Sequence, residues 1–147
     1  MCPRPLIVCV CTGNTCRSPM AQAIYEHMAK ETARSAGMGA NAGDPLSENA
    51  ARALKELGIT GFSHQAAPLT PEMVSEADTI YVMTDMHKRV LCAACPEAAH
   101  KIFLLEPDGR DISDPFGKDL EAYLLCAREI ENSIRYILDK RGEQDGD

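Results

Sequence analysis

Hydrophobic residues are concentrated in short runs that alternate with helix-forming segments along the chain. The first run, Pro5 to Cys11, is almost wholly apolar, which is typical of a strand buried on both faces of a sheet. Apolar runs at Thr79 to Met83 and at Lys101 to Leu105 predict two further strands. All three runs have the length of strands and are too short for ordinary helices.

Helix-start signals stand between and after these strands. Ser18 at an N-cap and Pro19 at the first helical position predict a helix over Met20 to Lys30. Thr84 can cap a helix over Asp85 to Ala94 in the same way. The remaining helices are predicted over Glu48 to Leu57, from Thr70-Pro71 through Ala77, and over about Leu120 to Lys140.

Strands that alternate with helices predict an α/β fold. We expect a single domain over residues 1–147, with a four-stranded parallel open sheet, right-handed crossovers and helices on both faces. A chain of 147 residues suits one domain, and its polar end, 141–147, is expected to be a frayed tail. Because such sheets bind ligands at the carboxyl ends of their strands, we expect the functional site in the loop after the first strand.

Composition and charge narrow the classes of partner. A hydrophobic content of 45% with 25% charged residues is typical of a globular protein with a buried core. A formal charge of −7 and an aromatic content of 5% argue against a nucleic-acid partner. No run approaches the ~20 apolar residues of a membrane span, and the chain does not start like a secretory signal. Seven cysteines, an odd number at irregular spacing, cannot all pair internally, which favours a reducing compartment, and we expect a cytoplasmic protein. We also expect the protein to be a monomer.

The segment between the first strand and the first helix carries candidate chemistry. Successive backbone N–H groups in such a loop can form an anion-binding nest, and the helix amino terminus adds about half a positive charge. Gly13 and Asn14 are residue types that tolerate the positive φ that this curvature needs. Arg17 offers a planar guanidinium that can hold two phosphate oxygens. A phosphate site is therefore predicted in the segment Cys11-Thr12-Gly13-Asn14-Thr15-Cys16-Arg17-Ser18.

Cys11 stands where this positive field favours the thiolate, which is the nucleophilic form of cysteine. A thiolate beneath a bound phosphoryl group is aligned for in-line displacement, and the product is a cysteinyl-phosphate that water then hydrolyses. Asp114, in the loop after the last predicted strand, lies on the same rim of the sheet and can protonate the leaving group. Pro115 stiffens that loop, and Phe116 offers a flat pocket wall. Taken alone, an aspartate before proline also suits an ordinary turn.

The segment Val10 to Pro19 is similar to the signature loop of the low-molecular-weight protein tyrosine phosphatase family. Ser35-Ala36-Gly37, Ser63-His64 and Asp114-Pro115-Phe116-Gly117 follow in that family's order and spacing. The resemblance therefore covers nearly the whole chain. It implies an enzyme that acts on phosphorylated proteins and releases inorganic phosphate.

The resemblance also implies roles for individual residues. It makes Cys11 the nucleophile, Arg17 the phosphate clamp, and Asp114 the acid and later the base. We expect no metal and no cofactor in this chemistry. The residues expected to bind the substrate or its phosphate are then Thr12, Gly13, Asn14, Thr15, Cys16, Ser18 and Phe116. The resemblance implies Asn14, Ser18 and His64 as supports of the loop and its thiolate.

Two positions bear on the phosphorylated residue that the pocket accepts. Tyrosine-directed members of the family usually carry a branched apolar residue where Thr15 stands, and often a second tyrosine where Gly117 stands. Thr15 together with Asp-Pro-Phe-Gly resembles the bacterial protein arginine phosphatases, and a threonine hydroxyl can hydrogen-bond a guanidinium or orient water. Gly39 departs from that resemblance, which implies a bulky aromatic wall at this position. We predict phosphoarginine as the preferred substrate, with phosphotyrosine as the alternative.

The other cysteines allow further interpretations. Cys16 is close enough to Cys11 for a reversible disulfide that protects the thiolate, although a small buried residue fits as well. Cys92 and Cys95 with His100 suggest a zinc site, but a fourth ligand is not evident. Arsenate reductases of the same fold relay a disulfide from the loop cysteine to such a pair. Those enzymes space the pair more widely and lack Phe-Gly after Asp-Pro, so phosphatase chemistry is favoured.

Several weaker signals remain. A catalytically silent phosphate-binding module would also carry the loop, but intact Cys11, Arg17 and Asp114 argue against it. His27 and His87 lie on predicted helices with charged neighbours, so both are expected to be exposed to solvent. For His64 the alternative is a surface-loop histidine, and Cys9 and Cys126 are interpreted as packing residues.

Overall fold

A parallel sheet of four strands lies at the centre of the protein, whose computed structural model describes residues 5–145. The strand order is β2-β1-β3-β4, and every neighbouring pair is parallel. This architecture confirms the predicted fold class. The strands are β1 (Ile7–Cys11), β2 (Arg34–Gly37), β3 (Thr79–Val82) and β4 (Ile102–Leu104).

Helices cover both faces of the sheet, which explains why β1 is apolar throughout. Ile7, Cys9 and Cys11 belong to the core beneath the first, second and last helices, whereas Val8 and Val10 belong to the core on the opposite face. All five residues of β1 are buried. The helices are α1 (Arg17–Ala29), α2 (Glu48–Glu56), α3 (Pro71–Glu76), α4 (Asp85–Ala94) and α5 (Leu120–Asp145), with one 3₁₀ turn at Pro96–Lys101.

The strand β2 has no equivalent among the elements placed from the sequence, although a fourth strand was expected. Its residues are Arg34, Ser35, Ala36 and Gly37, so it carries no apolar run that would predict a strand. The strand β2 is defined instead by its parallel pairing with β1, in which Cys11 lies opposite Gly37. A Cβ on Gly37 would lie 2.4 Å from the Thr12 carbonyl oxygen, so this close approach requires glycine.

The start of α1 differs from the prediction. The helix begins at Arg17, and Cys16 occupies the N-cap position without a side-chain cap. Ser18 and Pro19 therefore lie inside the first turn, and the prediction of Ser18 as N-cap is wrong. The Ser18 hydroxyl is used elsewhere, because it is hydrogen-bonded within the loop described below.

The last helix extends five residues beyond its predicted end at Lys140, to Asp145. Arg141 is held there by Glu31, with its Nη2 atom 2.9 Å from Oε1, and by the Tyr25 hydroxyl at 3.0 Å. This anchor explains why the polar end continues the helix instead of fraying at residue 141. Residues 146 and 147 of the predicted tail lie outside the described residues.

Within the described residues 5–145, no helix is both long enough and apolar enough to span a membrane.

Candidate active site

Cys11 ends β1 at the carboxyl edge of the sheet, directly before the loop that leads to α1. Its Sγ atom accepts a hydrogen bond from the Asn14 backbone N–H at 3.3 Å. Ser18 Oγ lies 2.9 Å from the same sulfur. Ser18 Oγ accepts a hydrogen bond from Asn14 Nδ2, and its own proton can be donated to the sulfur or, over the longer distance of 3.4 Å, to the Ala36 carbonyl oxygen. Donors at the amino end of α1 thus face a buried thiol, as the sequence predicts.

Asn14 is the residue that holds the loop in shape. Its side chain is fully buried, and Nδ2 donates to Ser18 Oγ at 2.7 Å and to Ser35 Oγ at 3.1 Å. Its Oδ1 accepts from Ala67 N at 2.9 Å, and its carbonyl oxygen accepts from His64 Nε2 at 2.7 Å. His64 is therefore hydrogen-bonded to the loop, unlike a free surface histidine. Both Ser18 and His64 lie behind the loop, where they constrain its shape.

The left-handed backbone of the loop is found at Asn14 and not at Gly13. Asn14 has a φ of 56°, whereas Gly13 is not among the residues with positive φ. The prediction is thus correct for one of the two residues. A Cβ at Gly13 would meet Thr15 Oγ1 at 3.8 Å, so the absent side chain leaves space beside that hydroxyl.

Arg17 and Asp114 meet on the rim of the loop. The Arg17 side chain is buried, and its Nη1 donates to the Ile112 carbonyl oxygen at 2.9 Å. Its Nη2 lies 3.5 Å from Asp114 Oδ2. The Asp114 side chain is 51% exposed, and its Oδ1 accepts from Phe116 N at 3.0 Å, which fixes the turn. The segment between β4 and α5 therefore brings a carboxyl group to the loop, as expected from the strand-end rule.

A cavity of about 280 Å³ opens above Cys11. Its base holds the thiol, the loop N–H groups and one buried guanidinium, whereas its mouth carries carboxylates and the exposed ring of Phe116. Such a cavity can bind a phosphoryl group at its base and present a proton donor at its mouth. The lining residues are Cys11, Thr12, Gly13, Asn14, Thr15, Cys16, Arg17, Gly39, Asn41, Asp44, Asp114 and Phe116; Asn41 and Asp44 were not predicted.

His87 is buried against the loop, so the prediction that it is solvated is wrong. Its Nε2 atom is hydrogen-bonded to Thr12 Oγ1 at 2.8 Å and its Nδ1 atom to Thr84 Oγ1 at 2.9 Å. Burial lowers the pKa of His87, and the Arg17 charge lowers it further, whereas Asp111 and Asp114 oppose the shift. The sequence does contain a signal for this position of His87. A residue three positions after the N-cap at Thr84 lies in the first turn of α4, at the carboxyl edge of β3. His27 is exposed, as predicted.

His87→Gln is expected to reduce the pH dependence of stability. Because the pKa of His87 is lowered in the folded protein, its neutral side chain stabilises the fold at pH values above the ordinary histidine pKa of about 6.5. This contribution to the free energy of unfolding is lost as the pH falls below that value. At pH 7.5 we expect the variant to be less stable by about 1 kcal/mol, because one buried hydrogen-bond pair is altered. Below pH 6.5 it should lose less stability than the wild type.

Urea unfolding at pH 7.5 and pH 5.5 measures both effects, with His27→Gln on the exposed face of α1 as the matched control. Equal pH-dependent losses in the wild type and His87→Gln would show that His87 does not resist protonation in the folded protein.

The remaining thiols fall into two groups. Burial raises the pKa of Cys9 and of Cys126 to about 12, so both are protonated packing residues at neutral pH. Cys92 and Cys95 lie near the end of α4 and pack against the core on the α4 face of the sheet. Cys95 lies about 12 Å along the helix axis from His87, at the end of α4 that is remote from the loop.

The zinc interpretation gains no support from the structure. In the part of the chain from residue 5 to residue 145, no three or more Cys, His, Asp or Glu side chains are grouped so that they could hold a metal ion. His100 is exposed in the 3₁₀ turn after α4.

Comparisons with known proteins agree with this site. The family model described as low molecular weight phosphotyrosine protein phosphatase matches residues 6–145. A protein-arginine-phosphatase of Geobacillus stearothermophilus is 39% identical over 141 residues, covering 91% of this chain and 94% of that protein. EpsP of Ralstonia nicotianae, a probable low molecular weight protein-tyrosine-phosphatase, is also 39% identical, over 130 residues, covering 87% of this chain and 90% of that protein.

A solved structure bears on the chemistry. The YwlE arginine phosphatase, solved as a cysteine-to-serine mutant with a phosphorylated active-site serine, superposes with a TM-score of 0.87 at 33% identity. The superposition covers 96% of this chain and 97% of that one. Because the family model spans nearly the whole described chain and the relatives are phosphatases at more than 30% identity, the protein is a cysteine-dependent phosphatase that belongs to the low molecular weight phosphotyrosine protein phosphatase family.

Proposed function

We propose that the protein hydrolyses phosphoarginine side chains on proteins, with Cys11 as nucleophile. Overall similarity does not choose the substrate, because one relative named for arginine and one named for tyrosine are equally identical at 39%. The choice must rest on the pocket. The observation that carries it is the Thr15 hydroxyl in the cavity wall, on the same mouth as the carboxylate of Asp114.

Thr15 is held firmly in the pocket wall. It is partly buried, and its carbonyl oxygen accepts a hydrogen bond from the Ser47 N–H at 2.9 Å, which ties the loop to the start of α2. Its Oγ1 lies over the space that the absent side chain of Gly13 leaves. A hydroxyl in this place can accept a hydrogen bond from a guanidinium N–H, which a branched apolar side chain cannot do.

The proposed first step transfers the phosphoryl group to Cys11. Its thiolate attacks phosphorus in line, so that the S–P bond forms as the P–N bond of phosphoarginine breaks. Asp114 gives its proton to the departing guanidine nitrogen. Arg17 and the loop N–H groups hold the equatorial oxygens, where charge accumulates in the transition state.

The proposed second step regenerates the thiolate. Asp114, now ionised, takes a proton from water while the water oxygen attacks phosphorus. The S–P bond breaks, inorganic phosphate leaves, and Asp114 is again protonated. Ser18 donates its hydroxyl proton toward the sulfur at 2.9 Å, which stabilises the thiolate as a leaving group.

The substrate proposal is tested with Thr15→Val, which removes the hydroxyl at nearly constant shape, and with Thr15→Ser, which keeps it. We expect the ratio of kcat/KM for a phosphoarginine peptide over its phosphotyrosine counterpart to fall at least tenfold in Thr15→Val, equivalent to about 1.4 kcal/mol of transition-state binding. Thr15→Ser should stay within threefold of the wild type. An unchanged ratio in Thr15→Val would remove Thr15 as the source of selectivity.

Phosphotyrosine is the second candidate substrate. Two observations favour it, namely the exposed ring of Phe116 at the pocket mouth and the open space at Gly39, where an aromatic side chain of the substrate could pack. A wild-type preference for phosphotyrosine peptides would establish this alternative. Arsenate reduction gains less support, because Cys92 and Cys95 lie toward the remote end of α4.

We further propose that the protein acts as a cytoplasmic monomer whose loop cysteines respond to oxidants. An odd number of cysteines at irregular spacing supports a reducing compartment.

Peroxide would oxidise Cys11 to a sulfenic acid, and the Cys16 thiol would then displace water to form a disulfide. Cys16 Sγ already has a polar neighbour at 3.4 Å, the Tyr123 hydroxyl.

A further inference from the structure

Asp44 lies at the mouth of the active-site cavity, and the function proposed above gives it no role. The residue ends a turn in which its backbone N–H donates to the Asn41 carbonyl oxygen at 3.2 Å. Its side chain lines the cavity and is exposed. Among the side chains that the structure describes, and the backbone N–H groups of residues 5–145, none pairs with the Asp44 carboxylate, which makes it available to a substrate.

The backbone of Asp44 is fixed by the segment that supports the phosphate loop. The Asp44 carbonyl oxygen accepts from Ala66 N at 2.7 Å, and Gly43 N donates to the Ala66 carbonyl oxygen at 2.8 Å. Gly43 has a φ of 89°, which lets the turn close. The next residue, Ala67, donates its N–H to Asn14 Oδ1. Asp44 is therefore held in a constant position relative to the loop around Cys11.

Charge along the cavity runs from positive at the base to negative at the mouth. Among the lining residues, Arg17 at the base is the only cationic side chain, and Asp44 and Asp114 are the only acidic ones. Because Asp114 acts as the proton donor in the proposed first step, the charge argument rests on Asp44. A carboxylate at the entrance of an anion site repels a phosphate that carries a neutral group behind it, and it attracts a phosphate whose next group is a cation, as the guanidinium of phosphoarginine is.

Gly39 leaves open space in the cavity wall that a larger side chain would fill. A Cβ at Gly39 would find its nearest neighbour, Thr12 Cγ2, only at 3.8 Å, so the cavity that Asp44 also lines is open at this position. A bulky aromatic side chain at that position would hold a substrate by packing. In this chain the cavity is lined by the Asp44 carboxylate instead, so the substrate would be recognised by its charge and not by packing against an aromatic side chain.

We infer that Asp44 is a specificity-determining residue, which favours phosphoarginine over phosphotyrosine by pairing with the guanidinium of the substrate. The inference rests on the proposed function. Asp44 takes no part in proton transfer in this account, because Asp114 holds that place beside Arg17.

Asp44→Asn tests the inference, since it keeps the size of the side chain and removes its charge. We expect kcat/KM for a phosphoarginine peptide to fall about fivefold, the effect of losing one partly solvated ion pair. For the matching phosphotyrosine peptide, kcat/KM should stay equal or rise, because a charge that repels the phosphate is gone. The phosphoarginine effect should shrink between 50 mM and 500 mM salt, since ions screen it.

Glu56→Gln on α2 is the matched control, because it removes the same charge from an exposed residue outside the cavity. Its substrate ratio should equal that of the wild type. Equal losses on both peptides in Asp44→Asn would indicate a structural role only and overturn the inference, as would an unchanged ratio. A wild type that itself prefers phosphotyrosine would instead overturn the proposed function, so the two failures are distinguishable.

Discussion

Cys11→Ser is expected to abolish turnover while leaving phosphate binding intact. Serine keeps the position and the neighbours of the sulfur, namely the Asn14 N–H at 3.3 Å and Ser18 Oγ at 2.9 Å. The binding groups of the loop and of Arg17 are untouched, so phosphate should still raise the melting temperature. A serine hydroxyl remains protonated at neutral pH and is a much weaker nucleophile than a thiolate, and a phosphoserine, once formed, loses its phosphate far more slowly than a cysteinyl-phosphate does.

We expect the activity of Cys11→Ser to fall at least a thousandfold, measured with a phosphoarginine peptide and with an aryl phosphate. Residual activity above about a hundredth of the wild-type value would contradict the covalent mechanism. The double variant Cys92→Ser with Cys95→Ser is the control, because both thiols lie near the remote end of α4. Full phosphatase activity in that variant also separates the proposed chemistry from a disulfide relay.

Asp114→Asn is expected to produce the second largest loss, and the loss should depend on the leaving group. Asparagine keeps an oxygen that can accept the Phe116 N–H, so the turn is preserved. It cannot donate a proton as a carboxylic acid does. General acid catalysis contributes about 10²–10⁴-fold to the rate, so we expect a loss of that size for phosphoarginine, whose guanidine leaves poorly without a proton.

An activated aryl phosphate is the diagnostic substrate for Asp114. Its leaving group departs as a stable anion, so Asp114→Asn should lose about tenfold less activity on it than on phosphoarginine. Equal losses on the two substrates would mean that Asp114 positions Arg17, whose Nη2 lies 3.5 Å away, and does not act as the acid.

Features that depend on neighbouring residues in sequence could be predicted, whereas those made by distant pairs could not. The apolar run of β1, the helix start at Thr70-Pro71 and the cap at Thr84 are local, and the structure confirms them. The strand β2 is defined by pairing with β1, and its own residues lack an apolar pattern. Ser18 resembled an N-cap because the local pattern does not show that Cys11 and Asn14 use its hydroxyl.

The candidate site divides in the same way. Cys11 ends β1, Arg17 opens α1 after the loop, and Asp114 lies in the segment that follows β4, so topology alone predicts that they meet at the carboxyl edge of the sheet. His87 and Asp44 reach the loop through contacts across long stretches of chain. His87 is hydrogen-bonded to a residue 75 positions away, and Asp44 is fixed by Ala66. The place of His87 in the first turn of α4 was a local signal for its contact, whereas nothing in the residues around Asp44 indicated its contact with Ala66.

The central claim is most directly tested by internal competition between two substrates of the wild-type enzyme. One peptide is prepared with phosphoarginine and with phosphotyrosine at the same position, and the two forms are mixed in equal amounts. The rates at which they disappear give the ratio of their kcat/KM values without separate calibration. The proposed function predicts that phosphoarginine is consumed at least ten times faster. Faster consumption of phosphotyrosine would contradict it and identify a tyrosine phosphatase of the same family.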